Sequence, residues 1–371
     1  SSGENAALVR RNNNIVVNWD KKDAEYVGLL KLDILGLSTL SILKHAIQSI
    51  KRNYNKDIDL YSLKLNDKNV FKTITTGKTS GVFQFGTYGL RKLCMEMKVR
   101  NFEHMCIITS LYRPLPLRSG LVDEYISRLK GKKPWQYLHE KLKPVLKNTE
   151  GLFVFQEQIA QTISALSNVS YSEADVIRKK LTSDKGDDLE IHKSTFIKGC
   201  VKNDIEEEVA SVLWDKIIHA SGYLFNRAHA VAYSKISYYC AWLKTYYPAE
   251  YICASLTFGP EARKEELIKD AIDNDVKIRF PKVGISKAKE WYVKDKKLFM
   301  PFIELKGVGE KIALQAEQIK IDRLFKKEDV PKRVKTLLDK FNAYDIDAQI
   351  SSNEDLSFDI NSGLFRKICK N

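Results

Sequence analysis

From residue 58 onward the chain keeps returning to one pattern, apolar residues three or four positions apart, in segments near 67–76, 86–97, 101–110, 119–130, 155–168, 172–181 and 188–203. That period fits only an amphipathic helix, so this part of the chain must be mainly helical. A helix is expected over 204–220, with Glu206, Glu207 and Glu208 matching the dipole of its first turn and Gly222 ending it. From Ala228 an aromatic-rich helix carrying Tyr233, Tyr238, Tyr239, Trp242, Tyr246 and Tyr247 runs to Pro248, which starts the next helix over 249–256. Aromatics at that spacing read first as core and second as stacking platforms. After Gly259-Pro260 come a charged helix, a β-leaning stretch from Val276 to Phe302, Lys-rich helices and a polar tail. No internal repeat is present.

The first fifty-odd residues read differently. Ile15 to Trp19 is expected as a strand, Asp20 to Glu25 as a polar turn, and the almost wholly apolar run Gly28 to Leu37 as a second strand covered on both faces. Ser38 or Thr39 then caps a helix with Leu40, Leu43, Ile47 and Ile50 at helical spacing, and Asn53 to Asp57 links it to the rest. The fold class is therefore α+β, predominantly helical. In the Gly28–Leu37 run, Lys31 and Asp33 stand two apart and share one face of the strand. There Asp33 could hold Mg²⁺ and Lys31 neutralise a phosphate, or the two could form a salt-bridged pair at a strand end.

At 371 residues and 42.6 kDa the chain is long enough for two or three structural units. Hydrophobic residues are 44% and charged residues 29%, with a mean hydropathy of -0.32, and no apolar run approaches the roughly 18 residues of a membrane span. No signal peptide pattern is read. Six scattered cysteines without a CxxC pair argue for a reducing cytoplasm and against zinc. The net charge of +14 and pI ≈ 9.2 point to a polyanionic partner. Ser1 opens the chain without a methionine, so a piece of something longer or a processed product is expected.

Several motifs carry a chemical and a structural reading together. Gly77-Lys78-Thr79 has the tail of a phosphate-binding loop, but Lys72 stands where that loop needs glycine, which removes the nucleotide-triphosphatase reading. Ser80 to Thr87, with glycines around an apolar centre, could bring backbone to a ligand or form a strand and turn. Arg113, stiffened by Pro114 and Pro116, suits a phosphate contact or a loop anchor. Arg178-Lys179-Lys180 sits late in a helix, where the dipole alone accounts for the cations and a triphosphate or template strand is the functional alternative. Lys132 and Lys133 belong to a basic run, Arg128 to Lys147, interleaved with aromatics, as a nucleic-acid surface or a solvated face would be. Asn226 is a helix cap that puts His229 and Tyr233 on one face, for a nucleotide pocket or a structural hydrogen bond. Lys306-Gly307-Val308-Gly309 with Lys311 resembles a helix-hairpin-helix turn, whose amides can hold DNA phosphate, or is a simple glycine turn.

Taken in order, these segments resemble the alpha subunit of bacterial DNA polymerase III, the C-family replicative polymerase. The resemblance runs through Gly28 to Leu37, Ser80 to Gln84, Leu111 to Pro114 with Ser119-Gly120, Phe155 to Gln158, Ala174-Asp175 with Arg178, Phe225-Asn226 with His229 and Tyr233, Trp242 to Lys244, Tyr247 to Glu250, and Lys306 to Gly309. It covers the chain to about residue 345. It implies that 1–55 are the C-terminal part of a polymerase palm, 56–258 the fingers, 259–345 distal fingers with the hairpin-like turn, and 346–371 a polar tail. It implies Asp33 as a catalytic metal ligand, with Lys31 in the same palm. Arg178 and Lys179 would meet nucleotide phosphates, with Gln84, Arg113, Asn226, His229 and Tyr233 near the nucleotide or template; Lys132, Lys133, Lys306, Gly307, Gly309 and Lys311 would face DNA.

The reaction implied is attack of a primer 3′-hydroxyl on a deoxynucleoside triphosphate with two Mg²⁺ ions. The partners implied are primer-template DNA, the nucleotide, the N-terminal polymerase portion and replisome subunits, with no membrane. Two further palm aspartates, one residue apart, are expected upstream; Asp57-Ile58-Asp59 has their spacing but introduces the fingers and is not assigned to them. Leu115 and Leu117 replace the glycine and methionine usual in the family, and Lys179-Lys180-Leu181 departs from its arginine-alanine pattern. The expected function is part of a DNA-directed DNA polymerase, inactive without the missing palm half. The alternative is a catalytically dead DNA-binding or interaction module derived from one.

Overall fold

The computed structural model describes residues 6–30, 36–181, 187–319 and 332–340. Its contacts divide the chain into two units, residues 1–38 and 39–371. The first contains an antiparallel hairpin of β1 (Leu8–Arg11) and β2 (Asn14–Val17), with Arg11 opposite Asn14. Asn12 and Asn13 turn the chain in the left-handed region (φ 46° and 65°), which asparagine tolerates better than other residues bearing a side chain. The segment expected as a polar turn is instead a short helix, α1 (Lys21–Tyr26), because the Asp20 carboxylate accepts from the amides of Lys22 and Asp23 and caps it. Lys31 and Asp33, with the centre of the expected second strand, lie outside the described residues.

Helix α2 (Ser38–Tyr54) buries Ile42, Leu43, Ala46 and Ile50 along one face, the stripe its spacing predicts. There follow α3 (Lys68–Thr75), capped by Asp67, α4 (Tyr88–Met97), and α5 (Phe102–Leu111), capped by Asn101. The proline-flanked segment after Arg113 is a short helix, α6 (Pro114–Arg118), with Pro114 in its first turn, where a missing N–H costs nothing. It leads to α7 (Leu121–Leu129).

A second group comprises α8 (Lys143–Leu146), α9 (Gln156–Ser167), α10 (Tyr171–Lys180), α11 (Asp187–Val201) and α12 (Glu207–Ser221). Their buried residues form a core of their own around Ile159, Ile163, Phe196 and Trp214. Helix α12 starts three residues later than its charge pattern predicts. Asp204 is left-handed (φ 63°), which ends any helical run there, and Glu206 becomes the residue before the first turn.

The helix α13 (Arg227–Tyr246) joins the first group, burying Tyr238 and Tyr239 among residues of α2 to α5. The core reading of its aromatics holds for those two. Tyr246 is exposed and donates to the Asp67 carboxylate at 2.7 Å. Pro248 opens α14 (Pro248–Phe258) as expected, and α15 (Lys264–Asp273) follows. The β-leaning stretch yields β3 (Ile278–Arg279), β4 (Tyr292–Lys294) and β5 (Lys297–Phe299), in the order β3-β5-β4, before α16 (Glu310–Glu317) and α17 (Lys332–Lys340). They share a third core with α14 and α15. The architecture is mostly helical with a small β part, as the pattern predicted. No helix among the described residues is long and apolar enough to cross a membrane.

Cys94, Cys106, Cys200, Cys240 and Cys253 are all free and buried. Burial raises their thiols, to about 12 at Cys94 and Cys106 and about 11 at Cys200 and Cys240. His104, buried in the first turn of α5, accepts from the Arg100 amide at 3.4 Å, and burial, then Arg100, pushes it down to about 4. The unfolded chain therefore binds the extra proton first as pH falls below 6.5. Stability is full above that value and is lost toward pH 4, by an amount of order 3 kcal/mol. Replacing His104 with Gln is expected to flatten this acid limb in urea titrations between those two pH values.

Candidate functional site

Two helices begin side by side in the second unit. The amide of Gln156 donates to the Phe225 carbonyl at 2.9 Å and the Phe225 amide to the Val154 carbonyl at 3.1 Å, so Phe155 and Phe225 form an isolated parallel bridge at the starts of α9 and α13. Side chains hold this junction. Gln158, 2% exposed, accepts from the amides of Val154 and Phe155 at 2.8 and 2.9 Å and donates to the Val145 carbonyl and the Thr149 hydroxyl at 3.1 and 2.8 Å. Both Glu157 carboxylate oxygens accept the Arg227 amide at 3.0 Å, and Asn226 accepts the His229 amide at 2.8 Å. The Arg227 guanidinium lies over the Phe155 ring and reaches Glu103 at 3.1 Å.

A row of side chains runs from this junction along α13. Arg113 lies 4.4 Å over the Phe225 ring; Phe225 meets His229 edge-on at 5.2 Å; His229 stacks on Tyr233 at 4.0 Å; and Tyr233 packs against Phe83 at 5.4 Å. Arg113 donates from Nε to the Ser110 carbonyl and from a terminal nitrogen to the Tyr223 carbonyl, both at 2.8 Å. These bonds are those of the loop anchor that its prolines allowed. Gln84 follows Phe83 with a left-handed backbone (φ 56°) in a segment that is turns throughout, with no strand. His229 is exposed and Tyr233 half-buried, so the row offers a cation and π-faces to a planar or anionic ligand.

The other candidate residues stand elsewhere. Arg178 and Lys179, at the end of α10, converge on Asp175 at 2.7 and 2.9 Å, and the hydrogen bonds of Lys179 and then Arg178 hold its carboxyl below the ordinary range. Lys132 and Lys133 are both exposed, and Lys133 pairs with Glu124. The glycine turn is present: Gly307 is left-handed (φ 84°), Gly309 precedes the first turn of α16, and Lys306 and Lys311 flank it, both exposed. Among the described residues no group of three or more His, Cys, Asp or Glu side chains could hold a metal ion.

The sequence motifs contain Phe83 and Phe225, which complete the row, without giving either a role, and they leave out Tyr223, whose carbonyl fixes Arg113. The signal available was an aromatic inside each of two singled-out segments. The Gln158 amide is the firmest link at the junction. Its replacement by Leu leaves two buried amides without acceptors and is expected to lower unfolding free energy by about 2–4 kcal/mol in denaturant titration.

Residues 39–204 match the family described as the bacterial DNA polymerase III alpha subunit finger domain. The chain is 33% identical over 347 residues to DNA polymerase III subunit alpha of Staphylococcus aureus (strain COL), covering 90% of this chain and 32% of that protein. It is 38% identical over 300 residues to DNA polymerase III subunit alpha of Aquifex aeolicus (strain VF5), covering 81% of this chain and 26% of that one. The chain thus spans about a quarter to a third of the length of the curated relatives it matches.

Proposed function

The chain is a relative of the bacterial DNA polymerase III alpha subunit, and on that footing we propose that it supplies the fingers and one catalytic carboxylate of a DNA-directed DNA polymerase. The observation that carries this reading is the finger-domain match, which takes in Gln84, Arg113, the Gln158 anchor and Arg178. In this reading residues 1–55 belong to the palm, 56–258 to the fingers, 259–345 to the distal fingers and 346–371 to a tail.

Asp33 is a Mg²⁺ ligand and Lys31 a phosphate contact in the palm. The His229–Tyr233 stack, with Arg113 and Gln84, lies toward the incoming nucleotide and template, with Asn226 fixing the start of their helix. Arg178 and Lys179 meet the nucleotide's phosphates when they leave Asp175. Lys306, Gly307, Gly309 and Lys311 at the glycine turn, with Lys132 and Lys133, bear on the DNA backbone.

Transfer of a nucleotide needs two hard cations, one lowering the pKa of the primer hydroxyl and the other neutralising the leaving pyrophosphate. A single carboxylate cannot hold both. The reading therefore requires an aspartate pair from polypeptide outside these 371 residues, covalently joined or as a second chain. The present chain alone is expected not to extend a primer.

The test combines the chain with an upstream fragment bearing that pair and measures Mg²⁺-dependent extension. Extension by wild type and none by Asp33→Ala is the expected result. Equal extension by the two overturns the role of Asp33, and no extension in any combination leaves a DNA-binding module without chemistry. DNA affinity of the chain alone is expected to fall with a log–log salt slope of about 0.9 per neutralised phosphate, and a flat response in a filter-binding titration removes the nucleic-acid partner.

A further inference from the structure

The segment 77–87 has little regular structure of its own, yet Thr79, Ser80, Val82 and Phe85 are buried. Its shape is imposed by side chains from two later helices and from the residue that precedes a third. Tyr251 of α14 donates to the Gly81 carbonyl at 2.8 Å, Ser237 of α13 to the Phe83 carbonyl at 2.9 Å, and Arg263, just before α15, to the Gly86 carbonyl at 2.8 Å. Lys244 of α13 differs from these. Its side chain is 1% exposed, and its ammonium donates to the Ser80 carbonyl at 2.8 Å while contacting both oxygens of Asp270, on α15, at 2.8 and 2.7 Å.

An ammonium withdrawn from water is costly, and a sequence that needed only apolar filling would place a leucine or methionine there. Burial pulls Lys244 down, to about 8, and Asp270 opposes that pull. The carboxylate keeps the lysine charged; the Ser80 carbonyl gives that charge something to hold. The two contacts divide the work between stability and geometry. Gly81 leaves little slack, because it is left-handed (φ 74°) and a Cβ there would stand 2.9 Å from Leu267 of α15. The tethered segment carries Phe83, which packs against Tyr233, followed by Gln84 with its left-handed backbone.

We propose that Lys244 is a positioning residue: through the Ser80 carbonyl it sets the segment that places Phe83 against Tyr233 of the His229–Tyr233 stack, with Gln84 next in the chain. The nucleotide part of this assignment rests on the function proposed above; the tether does not. The buried pair fixes the fingers' nucleotide face from behind, without touching the nucleotide.

Two variants of the 371-residue chain separate the roles. In Lys244→Met/Asp270→Leu an apolar pair replaces the charged one, a change that buried ion pairs tolerate, while the tether is lost. In Asp270→Asn the tether remains. The readouts are cooperative unfolding, amide exchange of the peptide spanning 79–86, and affinity for dATP with Mg²⁺. The double variant is expected to unfold cooperatively, to exchange at 79–86 at least about tenfold faster, and, because the lost bond acts on the nucleotide only through the segment, to bind dATP about five- to tenfold more weakly. Asp270→Asn, which leaves a buried amine without its carboxylate, is expected to unfold at lower denaturant but, with exchange normalised to its own global stability, to protect 79–86 like wild type. Wild-type exchange and affinity in the double variant overturn the proposal, as does fast exchange in Asp270→Asn together with a slow double variant. If wild type itself binds no dATP, the nucleotide reading fails, and the exchange rates alone then decide whether Lys244 sets the segment.

Discussion

A buried amide group with four hydrogen-bonding positions must find all its partners or be expelled from the core. Gln158 finds them: two backbone amides before its own helix, a carbonyl before Thr149, and the Thr149 hydroxyl. That arrangement closes the segment 145–155 onto α9, presents the Phe155 backbone to Phe225, and so fixes where α13 begins. The row from Arg113 to Phe83 depends on that starting point, because its register is the register of α13.

The helices were legible in the sequence because their signal is local: spacing, caps and prolines announce α3, α5, α10 and α14 within a residue or two. The misreadings were also local. Asp20 heads a helix rather than a turn because one carboxylate happened to satisfy two amides, and α12 begins late because Asp204 takes a left-handed conformation that no periodicity records. The partners of buried polar groups were not legible. Nothing in the spacing joins Lys244 to a carbonyl 164 residues earlier, or Arg113 to one 110 residues later. Family resemblance marked Gln158, Lys244 and Glu250 without saying what they touch. All three are buried, and Glu250 accepts from Asn53 at 3.0 Å.

The large positive charge is likewise less free than its sum implies. Lys133 is engaged by Glu124, Arg178 and Lys179 by Asp175, Arg227 by Glu103, and Lys244 by Asp270. Each pairing orients a cation while holding it. The pairs at Lys133 and Lys179, whose side chains are more than half exposed, contribute little to stability, whereas the Lys244–Asp270 pair is buried.

The buried cysteines give the domain an internal clock. A thiol that neither meets solvent nor ionises cannot be attacked by an oxidant or alkylating reagent in the closed state, so modification at Cys94, Cys106, Cys200, Cys240 or Cys253 has to wait for the helices around it to part. The pace of chemical ageing at these five sulfurs is therefore the pace at which the cores open, and a slow leak at one of them would mark the core that opens first.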